Sequence, residues 1–189
     1  IHRGPNAGGI YLNENIGLGH RRLSIIDTES TANQPMLSSN KKWVVAFNGE
    51  IYNYVELKAN ELQGISFQTE SDTEVILELF QKHGVESLSK LKGMFAFVLH
   101  NLETSETFVV RDRYGMKPLY FSMQNGTCLV ASEIRALLAS EVVPRKLSRI
   151  ALEEYIETQT VCAPNTLIEN VQLLEAGHYL HFKIGRAHV

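Results

Sequence analysis

The chain has 189 residues, 44% of them hydrophobic and 21% charged, with a formal net charge of −3. That composition fits one soluble globular domain with a real core. It excludes the basic footprint of a nucleic-acid or anionic-membrane binder. No apolar run reaches the roughly 18 residues of a membrane span, and no charged-then-apolar leader opens the chain.

Taken in chain order, residues 9–12 (GIYL) and 16–27 (IGLGHRRLSIID) read as short strands joined by the polar turn at residues 13–15. A loop over 28–40 carries Gln34-Pro35, and WVVAF (43–47) reads as a buried strand. Asn48-Gly49 follows directly. Such a pair after an apolar run commonly makes a two-residue hairpin turn. The next stretch, EIYNYVELKANEL (50–62), instead has helical spacing, with Ile51, Tyr54, Val55 and Leu62 apolar and Glu56, Lys58 and Glu61 polar. The pair is therefore expected at a strand-to-helix junction, where free N–H groups point outward. With the Asn amide beside them they form the donor set of an oxyanion hole.

Residues 71–84 (SDTEVILELFQKHG) are the clearest helix, with a capping box at Ser71 and Glu74. Val75, Ile76, Leu79 and Phe80 form one apolar face, and Gly84 is the stop. Four short strands follow, at 94–101, 107–112, 118–123 and 127–132, with an ordinary hairpin turn at 124–127. Helices are expected at 132–140 and 148–158, and then an extended linker over 158–182 that ends in a strand. Antiparallel strands with segregated helices give the α+β class.

The titratable residues leave few other chemistries. Cys128 and Cys162 are the only cysteines, far apart and without a CxxC spacing. They fit a reducing cytosol rather than a disulfide framework or zinc site. His178 and His181, spaced i,i+3 on a strand-like segment, point to opposite faces and make no metal pair.

Two further polar features each have two readings. Arg21 and Arg22 are either one exposed and one snorkelling arginine or a guanidinium fork for a carboxylate. Asp72 either complements the helix dipole or is a counter-ion for a substrate ammonium. Fork, carboxylate and donor pair together would suit an α-amino acid.

Eight blocks in order, HRGPNAGGIY, GHRRLSIID, QPM, FNGEIYNYVELK, TESDTEVIL, LKGMFAFVLHN, RDRYGMKPLYF and ASEIRALL, resemble the glutaminase domain of glutamine-hydrolysing asparagine synthetases. That domain belongs to the class II, N-terminal nucleophile amidotransferases. The last stretch, APNTLIENVQLLEAGHYLHF, is similar to the segment that leads into the synthetase domain. The resemblance implies a four-layer αββα sandwich of two antiparallel sheets, here lacking its first strand. It implies L-glutamine as substrate, with Arg22 on its carboxylate and Leu23, Ser24, Ile25 and Ile26 shaping the pocket by their backbone. Asn48 and Gly49 would form the oxyanion hole, Glu50 would flank the amino acid, and Asp72 would hold its ammonium.

The implied mechanism starts from an N-terminal cysteine thiolate that attacks the glutamine side-chain amide. Its own α-amino group, with an ordinary pKa of about 7.7–8, relays the proton. Ammonia leaves, a glutamyl thioester forms, and water releases glutamate. A C-terminal synthetase domain would use ATP and Mg2+ to activate aspartate for capture of the ammonia, while the glutaminase domain needs no cofactor. Cytoplasmic location and pairing as a homodimer also follow from the resemblance.

The chain departs from the family at its ends. Residue 1 is Ile, and neither Cys128 nor Cys162 matches the nucleophile's position, so this stretch alone is expected to hydrolyse no glutamine. The organisation expected is a glutaminase domain at 1–147, the start of a linker or synthetase domain at 148–182, and an adapter-derived tail at 183–189. Two alternatives stay open: an amidotransferase of the same scaffold that acts on a polysaccharide or secondary metabolite, and a glutamine-binding module without catalysis.

Overall fold

The computed structural model describes residues 4–23, 26–27 and 29–183. Its strands are β1 (Ala7–Leu12), β2 (Gly17–Arg22), β3 (Met36–Leu37), β4 (Trp43–Ile51), β5 (Gly93–Asn101), β6 (Glu106–Arg111), β7 (Tyr120–Gln124), β8 (Thr127–Ala131), β9 (Gln172–Leu173) and β10 (Tyr179–Lys183). The helices are α1 (Tyr54–Glu61), α2 (Asp72–His83), α3 (Ile134–Ala139) and α4 (Arg149–Thr158). The strands form ladders in the orders β1-β2, β10-β6-β5-β4-β3 and β8-β7-β9. Pairs β1–β2, β3–β4, β4–β5, β7–β8 and β7–β9 are antiparallel, as the α+β reading requires.

Two compact units divide the chain, one up to Val110 together with the segment from Leu180, the other Arg111–Tyr179. The expected boundary at 147/148 falls inside the second unit, between its helices α3 and α4. Lys183, expected to open the tail, continues β10.

The core of the first unit lies between helices and sheet. Val45, Phe47 and Ile51 of β4, Phe95, Phe97 and Leu99 of β5, and Phe108 and Val110 of β6 meet Leu57 of α1 and Val75, Ile76, Leu79 and Phe80 of α2. Phe80 bridges Trp43 and Phe108, with ring centroids 5.3 and 4.8 Å away. Fully burying such side chains contributes about 1.5–3 kcal/mol each. That burial is what holds α2 flat on the sheet.

α2 goes beyond the single apolar face read from its spacing, because every residue from Asp72 to Phe80 is buried. Its two buried glutamates are therefore partnered. Glu78 accepts from the Ser39 hydroxyl at 3.1 Å. Glu74 accepts the Gln68 N–H at 2.9 Å and the Thr69 N–H and hydroxyl at 2.7 and 2.6 Å. The expected capping box is thus only half formed. Ser71 is the N-cap, its hydroxyl accepting the Thr73 N–H at 3.1 Å, while Glu74 is diverted to the preceding loop and the Ser71 N–H goes to Thr69 Oγ1.

His100 on β5 is 1% exposed and its Nδ1 lies 2.8 Å from the Thr107 hydroxyl on β6. Burial holds its pKa below the ordinary value, and burial likewise lowers that of His20 on β2. In the unfolded chain both rings take up a proton near pH 6.5, while the folded chain resists it. The stability these two rings contribute is therefore expected to be full above that pH and to fall as pH drops from 7 towards 5. Thermal melts across that range test this, and His100→Gln should flatten the slope. A pH slope as steep in His100→Gln as in the unaltered chain would contradict it.

The second unit has its own smaller core, Leu137, Val143 and Val171 with Tyr120 and Leu129 packed against them. The block RDRYGMKPLYF has a structural use there. Asp112, 0% exposed, accepts the N–H groups of Tyr114, Met116 and Lys117, each at 3.0 Å. Arg111 donates to the carbonyls of Lys117 and Gly115 at 2.8 and 2.7 Å. The two side chains together latch the loop from both edges.

Candidate active site

Asn48 and Gly49 are neither in a hairpin turn nor at a strand-to-helix junction. β4 runs through them to Ile51, paired in register with β5 as Asn48↔Ala96, Gly49↔Phe95, Glu50↔Met94 and Ile51↔Gly93. Two glycines permit this close pairing. A Cβ on Gly49 would lie 2.1 Å from the Met94 carbonyl oxygen, and one on Gly93 would lie 2.1 Å from that of Glu50. Helix α1 begins only at Tyr54, where the Asn53 amide donates to the Lys90 carbonyl at 3.0 Å and accepts the Lys92 N–H at 2.9 Å.

Outward-pointing donors survive this correction, by a different route. Tyr52 N–H donates to the Lys92 carbonyl at 2.8 Å. Since N–H direction alternates along a strand, even-numbered N–H groups here face β5, and those of Phe47, Gly49 and Ile51 face the other edge. Phe47 N–H donates to Gln34 Oε1 at 2.6 Å, and Ile51 N–H donates to Asp72 Oδ2 at 2.9 Å. Gly49 N–H sits between them, on a stretch of edge that β3 does not reach, its ladder ending at Met36↔Val45.

Asp72 is 5% exposed at the start of α2. Burial pushes its carboxyl pKa up. The N–H groups of Ile51 and Thr73 pull it down, and the neighbouring charge of Glu50 pushes it up again. Glu50 itself is half-buried on β4. The strand carrying Asn48 and Gly49 is therefore hydrogen-bonded directly to the carboxylate expected to hold an ammonium.

Arg21 and Arg22 split as alternation on β2 dictates, with Arg21 exposed and Arg22 6% exposed. Arg22 does not present an open fork. Its Nη1 donates to the Glu29 carbonyl and Asn33 Oδ1, both at 3.0 Å, and its Nη2 donates to the Ile26 carbonyl at 3.2 Å and to that of Asp27. The guanidinium thus holds the loop that follows β2. That loop reaches the start of α2 through Asp27, whose carboxylate accepts the Glu70 N–H at 2.9 Å. Leu23 is 56% exposed and Ile26 half-buried. Ser24 and Ile25 lie outside the described residues.

Neither cysteine belongs to this set. Cys128 is on β8, and burial pushes its thiol up to about 11. Cys162 is exposed after α4, and the Glu154 carboxylate that it hydrogen-bonds raises its thiol. Both thiols are held away from the reactive thiolate form. Sequence reasoning missed Asn33, Gln34 and Asp27, which tie these parts together. The signal was present in the block QPM and in the asparagine just before it.

A profile of the family described as a glutamine amidotransferase domain matches residues 1–189. The glutamine-hydrolysing asparagine synthetase 1 of Bacillus subtilis is 40% identical over 94% of this chain and 28% of its own length. Amidase chry2 of Gibberella zeae is 36% identical over 95% of this chain and 26% of its own length. The chain thus spans little more than a quarter of either. Among solved structures, the glutamine phosphoribosylpyrophosphate amidotransferase of B. subtilis, solved with ADP and GMP, aligns with a TM-score of 0.64. It is 28% identical and covers 89% of this chain and 33% of that one. The likeness bears out the α+β fold expected from the resemblance.

Proposed function

The chain belongs to the glutamine amidotransferase domain family, and on that premise we propose that it is the glutaminase part of a glutamine-hydrolysing asparagine synthetase. The observation that carries this is the hydrogen bond from Ile51 N–H to Asp72 Oδ2 at 2.9 Å. It links a buried carboxylate to the strand edge that carries Gly49 N–H, which supports a reading in which an ammonium and a developing oxyanion are met on one molecule of glutamine. In this reading Asp72 takes the α-ammonium, with Glu50 adding negative charge beside it. The Asn48 amide and Gly49 N–H stabilise the oxyanion of the tetrahedral intermediate. Arg22 takes the α-carboxylate by trading one of its loop carbonyls for it, and the backbones of Leu23 and Ile26 flank the bound amino acid.

The nucleophile is assigned to an N-terminal cysteine that is not among these residues. Aspartate, ATP and Mg2+ belong to a synthetase domain at the far end of the gene product, and a cytoplasmic homodimer is part of the same proposal. Among the described residues no helix is long and apolar enough to cross a membrane. The similarity to a protein named an amidase favours a second reading, in which the same glutamine site supplies nitrogen to a different acceptor.

Calorimetric titration of the 189-residue chain with L-glutamine and two truncated analogues tests the site. The analogue without the α-amino group and the one without the α-carboxylate should each bind about 10–100-fold more weakly, the equivalent of roughly 1.5–3 kcal/mol for one charge-assisted contact. Equal binding of all three would refute the assignment.

A further inference from the structure

Resting on the glutamine-site reading above, we infer that Gln34 is a positioning residue that sets the spacing between the oxyanion strand β4 and the start of α2. Its side chain is 8% exposed and is used at both ends. Oε1 accepts the Phe47 N–H at 2.6 Å, one residue before Asn48. Nε2 donates to Thr73 Oγ1 at 3.3 Å, one residue after Asp72. An uncharged amide is the group that can accept from a strand and donate to a helix without burying a charge.

The surroundings show why this one contact matters. β3 is two residues long, so beyond Val45 no strand of the described residues pairs with this edge of β4. Gln34 takes over where the ladder stops, and it is the last anchor before Gly49. The His20 side chain also lies against the Phe47 backbone. Gln34 itself is fixed from behind. Its carbonyl oxygen lies where a Cβ on Gly9 would be only 2.3 Å away, and Gly9 is the register partner of His20. The preceding residue, Asn33, accepts from Arg22 at 3.0 Å. Two consecutive residues of one loop therefore touch Arg22, the neighbour of Asn48 and the neighbour of Asp72. Placement errors of an ångström at such a site are costly.

The test uses the 189-residue chain, L-glutamine calorimetry and the Gly49 amide resonance. Gln34→Met, which keeps the shape and removes both hydrogen bonds, should weaken L-glutamine binding about tenfold or more and shift the Gly49 amide before ligand is added. The Thr73 pair separates positioning from packing should Gln34→Met fail to fold. Thr73→Val keeps the shape without the hydroxyl and should weaken binding about 3–10-fold, whereas Thr73→Ser keeps the hydroxyl and should stay within about twofold. If Thr73→Val binds as well as Thr73→Ser, or a folded Gln34→Met binds like the unaltered chain, the role of Gln34 is overturned while the glutamine site stands. If the unaltered chain binds no L-glutamine, both fall together.

Discussion

Asn48→Ala is expected to lower glutamine hydrolysis about 10²–10³-fold, the usual cost of removing one oxyanion donor. The assay needs a polypeptide of the relatives' full length that carries this domain and an N-terminal cysteine. The substitution is clean because of where the residue sits. Asn48 lies inside the β4–β5 ladder opposite Ala96, and alanine leaves every backbone hydrogen bond of that ladder in place. Only the side-chain amide goes. Synthesis supported by free ammonia should continue unchanged, since it bypasses this site. Unchanged glutamine turnover would reduce Asn48 to a ladder residue and leave Gly49 N–H alone on the edge.

Asp72→Asn separates binding from folding by the sign of its effect. The amide keeps an oxygen for the Ile51 N–H, so the strand-to-helix contact at 2.9 Å is retained while the charge is removed. Glutamine should then bind about 10–100-fold more weakly, as expected when a charge-assisted contact to an ammonium is lost. Stability should move the other way. Burial and Glu50 hold the Asp72 carboxyl above its ordinary pKa. An acid raised in this way takes up a proton on folding, so its ionised form costs stability at neutral pH and the cost disappears as pH falls through its folded pKa. Asn removes that cost, and the melting temperature at pH 7 should rise. Such a conflict between stability and ligand binding marks a group kept for function. A lower melting temperature with unchanged glutamine affinity would make Asp72 a helix cap instead. Calorimetry and thermal melts on the same sample decide between the two.

The sequence was most legible where structure is local. Ser71 caps α2, Gly84 at φ +57° ends it with its N–H on the Phe80 carbonyl, and Asn13 folds the β1–β2 turn by accepting the Asn15 and Ile16 N–H groups, each at 2.8 Å. It was least legible where a distant strand decides. Nothing within residues 43–57 announces that β5 will pair with β4 as far as Ile51. That pairing depends on Gly93, more than forty residues away, and it moves Asn48-Gly49 from an expected helix junction into a ladder. Glu74 left its box because a nearby threonine offered two donors at once.

The candidate site was expected from its residue types. The Asn-Gly pair, the Asp at the helix start and the paired arginines all stood out. How they are joined was not. Arg22 holds the carbonyls of its own loop, Asp72 holds a strand N–H, and Gln34 bridges β4 and α2. These are contacts between segments far apart in the chain, and periodicity carries no trace of them. Resemblance named the residues, and only the folded geometry gave each of them its partner.

The central claim is that the β4 edge at Gly49, together with Asp72, receives L-glutamine. The most direct measurement is an amide-resolved NMR titration of the 189-residue chain with L-glutamine. The Gly49, Ile51 and Thr73 N–H signals should move together and saturate at one affinity, because Ile51 N–H donates to Asp72 and Gly49 and Thr73 flank that contact in sequence. Saturable binding that leaves those three signals in place and moves others instead would contradict the account.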